Sequence, residues 1–163
     1  MAQNEILAVE VGDLLKKRNL TVCAAESCTG GLLLSTLTDI SGSSAYVLGG
    51  VVTYSNEAKQ HLVHVQEATL LQYGAVSEQT AREMVLGVRD VFKADVAVSI
   101  TGIAGPGGGM PEKPVGLTYI GVATVQIIRV EKYVWSGNRV ENKEQSVIQA
   151  LRLVVEILKK AEI

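Results

Sequence analysis

Ser27 lies in the run Ala25-Glu26-Ser27-Cys28-Thr29-Gly30-Gly31, which gathers a hydroxyl, a thiol and two adjacent glycines in one short stretch. The apolar run Leu20–Ala25 that leads into it has strand character, and Leu32–Leu37 leaves it with apolar residues at helical spacing. A strand-to-helix turn of this composition presents backbone N–H groups at a helix N-terminus, where a phosphate or a developing oxyanion can be held. Gly30 and Gly31 allow backbone to approach a ligand closely, and Thr29 sits beside them. Ser27 is the leading nucleophile candidate. Cys28 competes with it, because a thiolate is intrinsically the better attacker. The plainer alternative is a Ser/Thr helix cap beside a tight turn, with Cys23 and Cys28 as small buried filler.

A serine nucleophile needs a base. His61 and His64 are three positions apart, and no acid is placed by the sequence to orient either, so both read as surface residues and no Ser-His-Asp triad is expected. Lys59 remains. Ser-Lys pairs work when burial or a neighbouring cation brings the amine's pKa down toward neutrality. Tyr54 could hydrogen-bond the same hydroxyl and relay its proton. Taken alone, Lys59 reads as a solvated helix lysine before it reads as a base. Two cysteines and two histidines at these spacings do not make a zinc site, and no metal is expected. Neither GxGxxG nor GxxxxGK[ST] occurs, so dinucleotide and P-loop readings lack support.

The elements that must position these groups interleave. Helices are expected over 5–18, from about Thr29 to Ile40, from Ser55 through Lys59, over 67–72, from Ser77 to Phe92 and over 142–160. Strands are expected over 20–25, 46–54 (with a bulge or close approach at Gly49-Gly50), 95–100, 115–125 and 127–135. The last two are joined tightly and should be antiparallel. Segments 41–44 and 136–139 read as loops. This pattern implies an α/β layered sandwich, a mixed parallel and antiparallel sheet flanked by helices. Three polar loops follow strands: Ser27–Gly31, Tyr54–Lys59 and the Gly-dense Thr101–Gly109, which includes Gly102 and Gly105. At the carboxyl ends of strands in such a sheet they would meet in one crevice, bringing Ser, Lys and Tyr between two anion cradles.

With 163 residues the chain is long enough for one domain with a proper core, expected to span 1–163. Apolar residues make up 47% and charged residues 20%, with a net charge of −2 and no Lys/Arg cluster. This argues against a nucleic-acid or membrane-surface binder. No apolar run approaches the roughly 18 residues of a membrane span, and the N-terminus lacks a signal peptide's basic start, so a cytoplasmic location is expected. The 115–135 hairpin could offer a strand edge or apolar face to a second copy, making a homodimer the expected assembly.

Six blocks carry a resemblance: Ala25–Gly31; Gly42-Ser43-Ser44; Gly49–Asn56 with Lys59; Gly74–Glu78; Thr101–Gly108; and Lys113–Gly116. In this order they resemble the C-terminal domain of the competence/damage-inducible protein CinA, over about residues 5 to 160. Stand-alone members of that family include nicotinamide-nucleotide amidase. The resemblance implies hydrolysis of the carboxamide of nicotinamide mononucleotide to nicotinic acid mononucleotide and ammonia, within pyridine nucleotide recycling and without metal or other cofactor. It makes Ser27 the nucleophile, activated by Tyr54 and Lys59. It also gives Ser44 and Thr101 roles toward substrate or oxyanion, and Arg139 a role toward phosphate. Two positions depart from the family's habit: Lys143 where a second Arg is frequent, and His64 where Gly is usual. The alternative function is a non-catalytic nucleotide-binding or regulatory domain of the same fold.

Overall fold

Alternation along the central strands sorts the small apolar side chains onto two faces of one sheet. The computed structural model describes residues 1–160. The elements are α1 (Gln3–Arg18), β1 (Val22–Glu26), α2 (Leu32–Thr38), a 3-10 turn (Ser43–Ala45), β2 (Val47–Val52), α3 (Asn56–Val63), α4 (Glu67–Tyr73), α5 (Glu78–Phe92), β3 (Val96–Gly102), β4 (Leu117–Ala123), β5 (Ile128–Val134) and α6 (Arg139–Lys160). The sheet order is β2-β1-β3-β4-β5. β1 runs parallel to β2 and β3, whereas β3–β4 and β4–β5 are antiparallel. This is the mixed α/β sandwich that the interleaved pattern implies.

Val22, Ala24, Val98 and Ile100 point to one face, into a core with Leu15, Leu33 and Leu151 from α1, α2 and α6. Cys23, Ala25 and Ala97 point to the other, against Val63, Met84, Val85 and Val88 from α3 and α5. The second face is lined by small residues, which lets α5 lie close. Ser99 donates to the α5 carbonyl of Ala81 at 2.8 Å. Within that layer α3 crosses α5 at Gly87, where a Cβ would stand 1.7 Å from the Val63 carbonyl oxygen. That contact fixes α3, and with it Lys59, on the sheet.

Several boundaries differ from expectation for local reasons. The β1–β2 register slips between Val22 and Cys23, so Val22 pairs with Val47 and Cys23 with Gly49, the irregularity expected at Gly49-Gly50. α2 begins at Leu32 rather than near Thr29, because Gly30 (φ +62) and Gly31 (φ +101) make a left-handed turn first. Residues 41–44 contribute to a 3-10 turn rather than an open loop. α6 begins at Arg139, three residues early. Asn138 Oδ1 accepts from the Glu141 N–H at 3.0 Å and Glu141 returns the bond to the Asn138 N–H at 2.7 Å, a capping box that starts the helix upstream. His64 closes α3 at φ 60, the left-handed C-cap conformation that Gly adopts freely.

The chain leaves β1 into α2 on one face of the sheet and leaves β2 into α3 on the other. Between these divergent exits an α/β sheet opens a crevice, with the β3 exit alongside.

Candidate active site

Lys59 sits on the second turn of α3, one turn before Val63, and both point inward. It is 1% exposed. Its Nζ lies 3.1 Å from Ser27 Oγ and donates to the Thr53 carbonyl oxygen at 2.8 Å. It enters no ion pair with a carboxylate among the described residues. Burial lowers its pKa from the usual 10.5, with Cys28 acting in the opposite direction as the lesser cause. In its neutral form the amine keeps one N–H on Thr53 and aims a lone pair at the Ser27 hydroxyl. That is the geometry of a general base on a nucleophile.

Ser27 follows β1, and its own N–H continues the sheet by donating to the Ile100 carbonyl at 2.9 Å. Cys28 beside it is buried, and desolvation pushes its thiol up to about 11, with Glu26 adding to the rise. A neutral thiol is a poor nucleophile, so Ser27 is the better attacker here. Cys23 is pushed up to about 12 by burial against α5, where it donates to the Val88 carbonyl. His61 and His64 are exposed.

A crevice of about 280 Å³ opens over this pair, and it contains Ser27, Tyr54, Lys59, Thr101 and Arg139. Gly102 and Gly105 line it too. The convergence of three strand-exit loops is therefore present. Tyr54 is 62% exposed, and its hydroxyl accepts from Arg139 Nη2 at 3.0 Å rather than meeting Ser27. Arg139 Nη1 donates to the Gly105 carbonyl at 2.8 Å, so the guanidinium bridges two of the loops across the mouth. No carboxylate among the described residues lines the crevice, and Arg139 makes its mouth positive. The Thr101 hydroxyl is buried and donates to the Ala75 carbonyl at 2.7 Å, which leaves it no hydrogen for an oxyanion.

Four expected site residues lie outside the crevice lining. Ser44 is exposed on the 3-10 turn that precedes β2, at the opposite end of that strand from Thr53. Six residues of strand put it roughly 20 Å away. Thr29, Gly30 and Gly31 shape the Ser27 turn, but their region is not an open anion cradle. The Gly30 N–H bonds the Ser27 carbonyl, and the Gly31 N–H is taken by the Glu26 carboxylate.

The description "CinA C-terminal domain" matches residues 4–158 of the chain. The chain belongs to the CinA C-terminal domain family. It is 50% identical over 147 residues to the nicotinamide-nucleotide amidohydrolase PncC of Enterobacter agglomerans, covering 90% of each chain. It is likewise 50% identical over 167 residues to a CinA-like protein of Chlorobaculum tepidum, covering 99% of this chain and 40% of that one. Indeed the chain spans only 34–40% of the length of the first curated relatives it matches. Among solved structures, the competence/damage inducible protein CihA from Agrobacterium tumefaciens superposes with a TM-score of 0.95 at 40% identity, covering 98% of both chains. A CinA superfamily protein from Klebsiella pneumoniae gives 0.94 at 32% identity, covering 97% of this chain and 99% of that one.

Three further groups of this CinA-family chain contribute to the site beyond those expected from its sequence. The Thr53 carbonyl steadies Lys59, and a main-chain acceptor leaves no mark on composition. Asn142 is buried, donates to the Ala104 carbonyl at 3.0 Å and accepts from the Gly137 N–H at 3.0 Å, thereby tying α6 to the Gly-rich loop. Its signal was present: a polar residue on the inner face of an otherwise apolar helix. Glu26, whose signal was a carboxylate ending an all-apolar strand, is taken up below.

Proposed function

We propose that this protein hydrolyses the carboxamide of nicotinamide mononucleotide, giving nicotinic acid mononucleotide and ammonia in the cytoplasm. The observation that carries the reading is the buried, carboxylate-free Lys59 Nζ 3.1 Å from Ser27 Oγ. Neutral Lys59 takes the hydroxyl proton as Ser27 Oγ attacks the carboxamide carbon. The collapsing tetrahedral intermediate expels its nitrogen as ammonia, protonated by Lys59, and leaves an ester on Ser27. Water, deprotonated by the same amine, then attacks the ester and releases the carboxylic acid. The N–H group of Cys28, which follows the nucleophile directly and lines the crevice, bonds no other residue among those described; it is the donor for the oxyanion. Arg139, held only by neutral acceptors, takes the phosphate at the mouth, and Tyr54 orients it.

The amidohydrolase named among the relatives supports the substrate class, and the positive crevice supports an anionic ligand. Free Cys23 and Cys28 suit a reducing compartment, and no helix among the described residues is long and apolar enough to cross a membrane. Purified protein is expected to release ammonia from nicotinamide mononucleotide without added metal and at an unchanged rate in EDTA. Tight nucleotide binding with no ammonia at high protein concentration would favour the non-catalytic domain instead.

The same reading includes a homodimer. β5 is an edge strand with no further strand beyond it among the described residues, and Ile128 and Val134 on it are 40% and 56% exposed. Light scattering at micromolar concentration should give twice the chain mass of 17.4 kDa, and a monomer mass would overturn this part.

A further inference from the structure

Glu26 ends an apolar strand yet is 0% exposed and enters no ion pair among the described residues. Its Oε2 accepts from the N–H groups of Gly31 and Leu33, each at 3.1 Å, and its Oε1 accepts from Leu34 at 2.9 Å. They are the amides of the N-cap Gly31 and of the second and third residues of α2, a helix with no side-chain cap from its N-cap residue. A buried charge is costly, but three charge-assisted bonds along a helix dipole offset that cost. A serine at the cap would satisfy those amides more simply. What a serine would not do is tie the end of β1 to the start of α2 across the turn that carries Ser27.

The main chain at the same residue completes the tie. The Glu26 carbonyl accepts from the Thr53 N–H at 2.8 Å, and Thr53 is the residue whose own carbonyl holds Lys59. One residue thus links the nucleophile's turn on one side to the base's anchor on the other. Resting on the Ser27–Lys59 reading above, we propose that Glu26 is the positioning residue of this site. Its carboxylate caps the start of α2 and holds the Ser27 turn closed so that Oγ stays on Lys59.

Glu26→Gln keeps the shape but turns one acceptor into a donor facing an N–H. The variant should keep its circular dichroism spectrum. A misplacement of about 1 Å at a reacting atom costs on the order of 100-fold, so kcat should fall by roughly that factor while KM stays within about twofold. Ser27 labelling by a fluorophosphonate, read by mass spectrometry, should slow at least tenfold. Labelling at the wild-type rate would overturn the proposal. Should Glu26→Gln not fold, Glu26→Asp, whose carboxylate is withdrawn by one methylene, carries the same expectation. If wild-type Ser27 takes no label, the nucleophile reading has failed, and the carboxylate's role is decided by melting alone. Formate should then raise the melting temperature of Glu26→Ala and not that of the wild type; no difference between the two would overturn the proposal.

Discussion

Ser27→Ala is expected to abolish ammonia release, with a loss of at least about 10³-fold in kcat, while leaving the melting temperature and nucleotide affinity near those of the wild type. The removed oxygen has one strong partner, the amine of Lys59 at 3.1 Å, and its loss leaves no carboxylate stranded. Cys28→Ser is the matched control. A thiol near 11 is ionised in only about one molecule in ten thousand at pH 7, and its side chain packs close to Gly102, so it is built into the wall. Cys28→Ser should therefore keep most of the activity. Steady-state ammonia release by both variants checks the assignment, and an inactive Cys28→Ser beside an active Ser27→Ala would reverse it.

The fold was legible wherever one local rule sufficed. Helical spacing marked α1, α5 and α6, and the helix starts expected at Ser55 and Ser77 are capped by those side chains, which accept from the Ala58 and Thr80 N–H groups. The convergence of the three loops followed from each of them leaving the carboxyl end of a strand. The departures came where two segments distant in sequence compete for one group. Gly30-Gly31 reads as an anion cradle until a carboxylate from β1 is seen occupying it. Thr101 reads as an oxyanion donor until the Ala75 carbonyl is seen to hold its hydrogen. Ser44 lies near the other blocks along the chain, but β2 separates it from them in space. Partners of this kind are created by tertiary packing, and residue types in sequence do not record them.

The variant that tests the mechanism most sharply is Lys59→Arg. Arginine keeps a cation beside Ser27 but stays protonated at any accessible pH, so it cannot take the hydroxyl proton. If Lys59 is the base, Lys59→Arg and Lys59→Ala should each lose about 10³-fold in kcat, and the double variant with Ser27→Ala should lose little more, because nucleophile and base act as one unit. If Lys59 only binds an anion, Lys59→Arg should stay active. The pH dependence has a definite sign. Burial lowers the folded-state pKa below 10.5, so wild-type kcat/KM should fall on the acid side as the amine protonates. Stability carries the same signature. Between the folded-state pKa and 10.5 the unfolded chain binds the extra proton, so wild-type stability rises with pH across that window. Lys59→Met removes this slope and the charge that the folded state tolerates poorly, and it should melt higher than the wild type near neutral pH while being inactive. A side chain that costs stability and forms no salt bridge among the described residues is held for the proton it can take from Ser27; a melting temperature that falls in Lys59→Met would instead make it a structural residue.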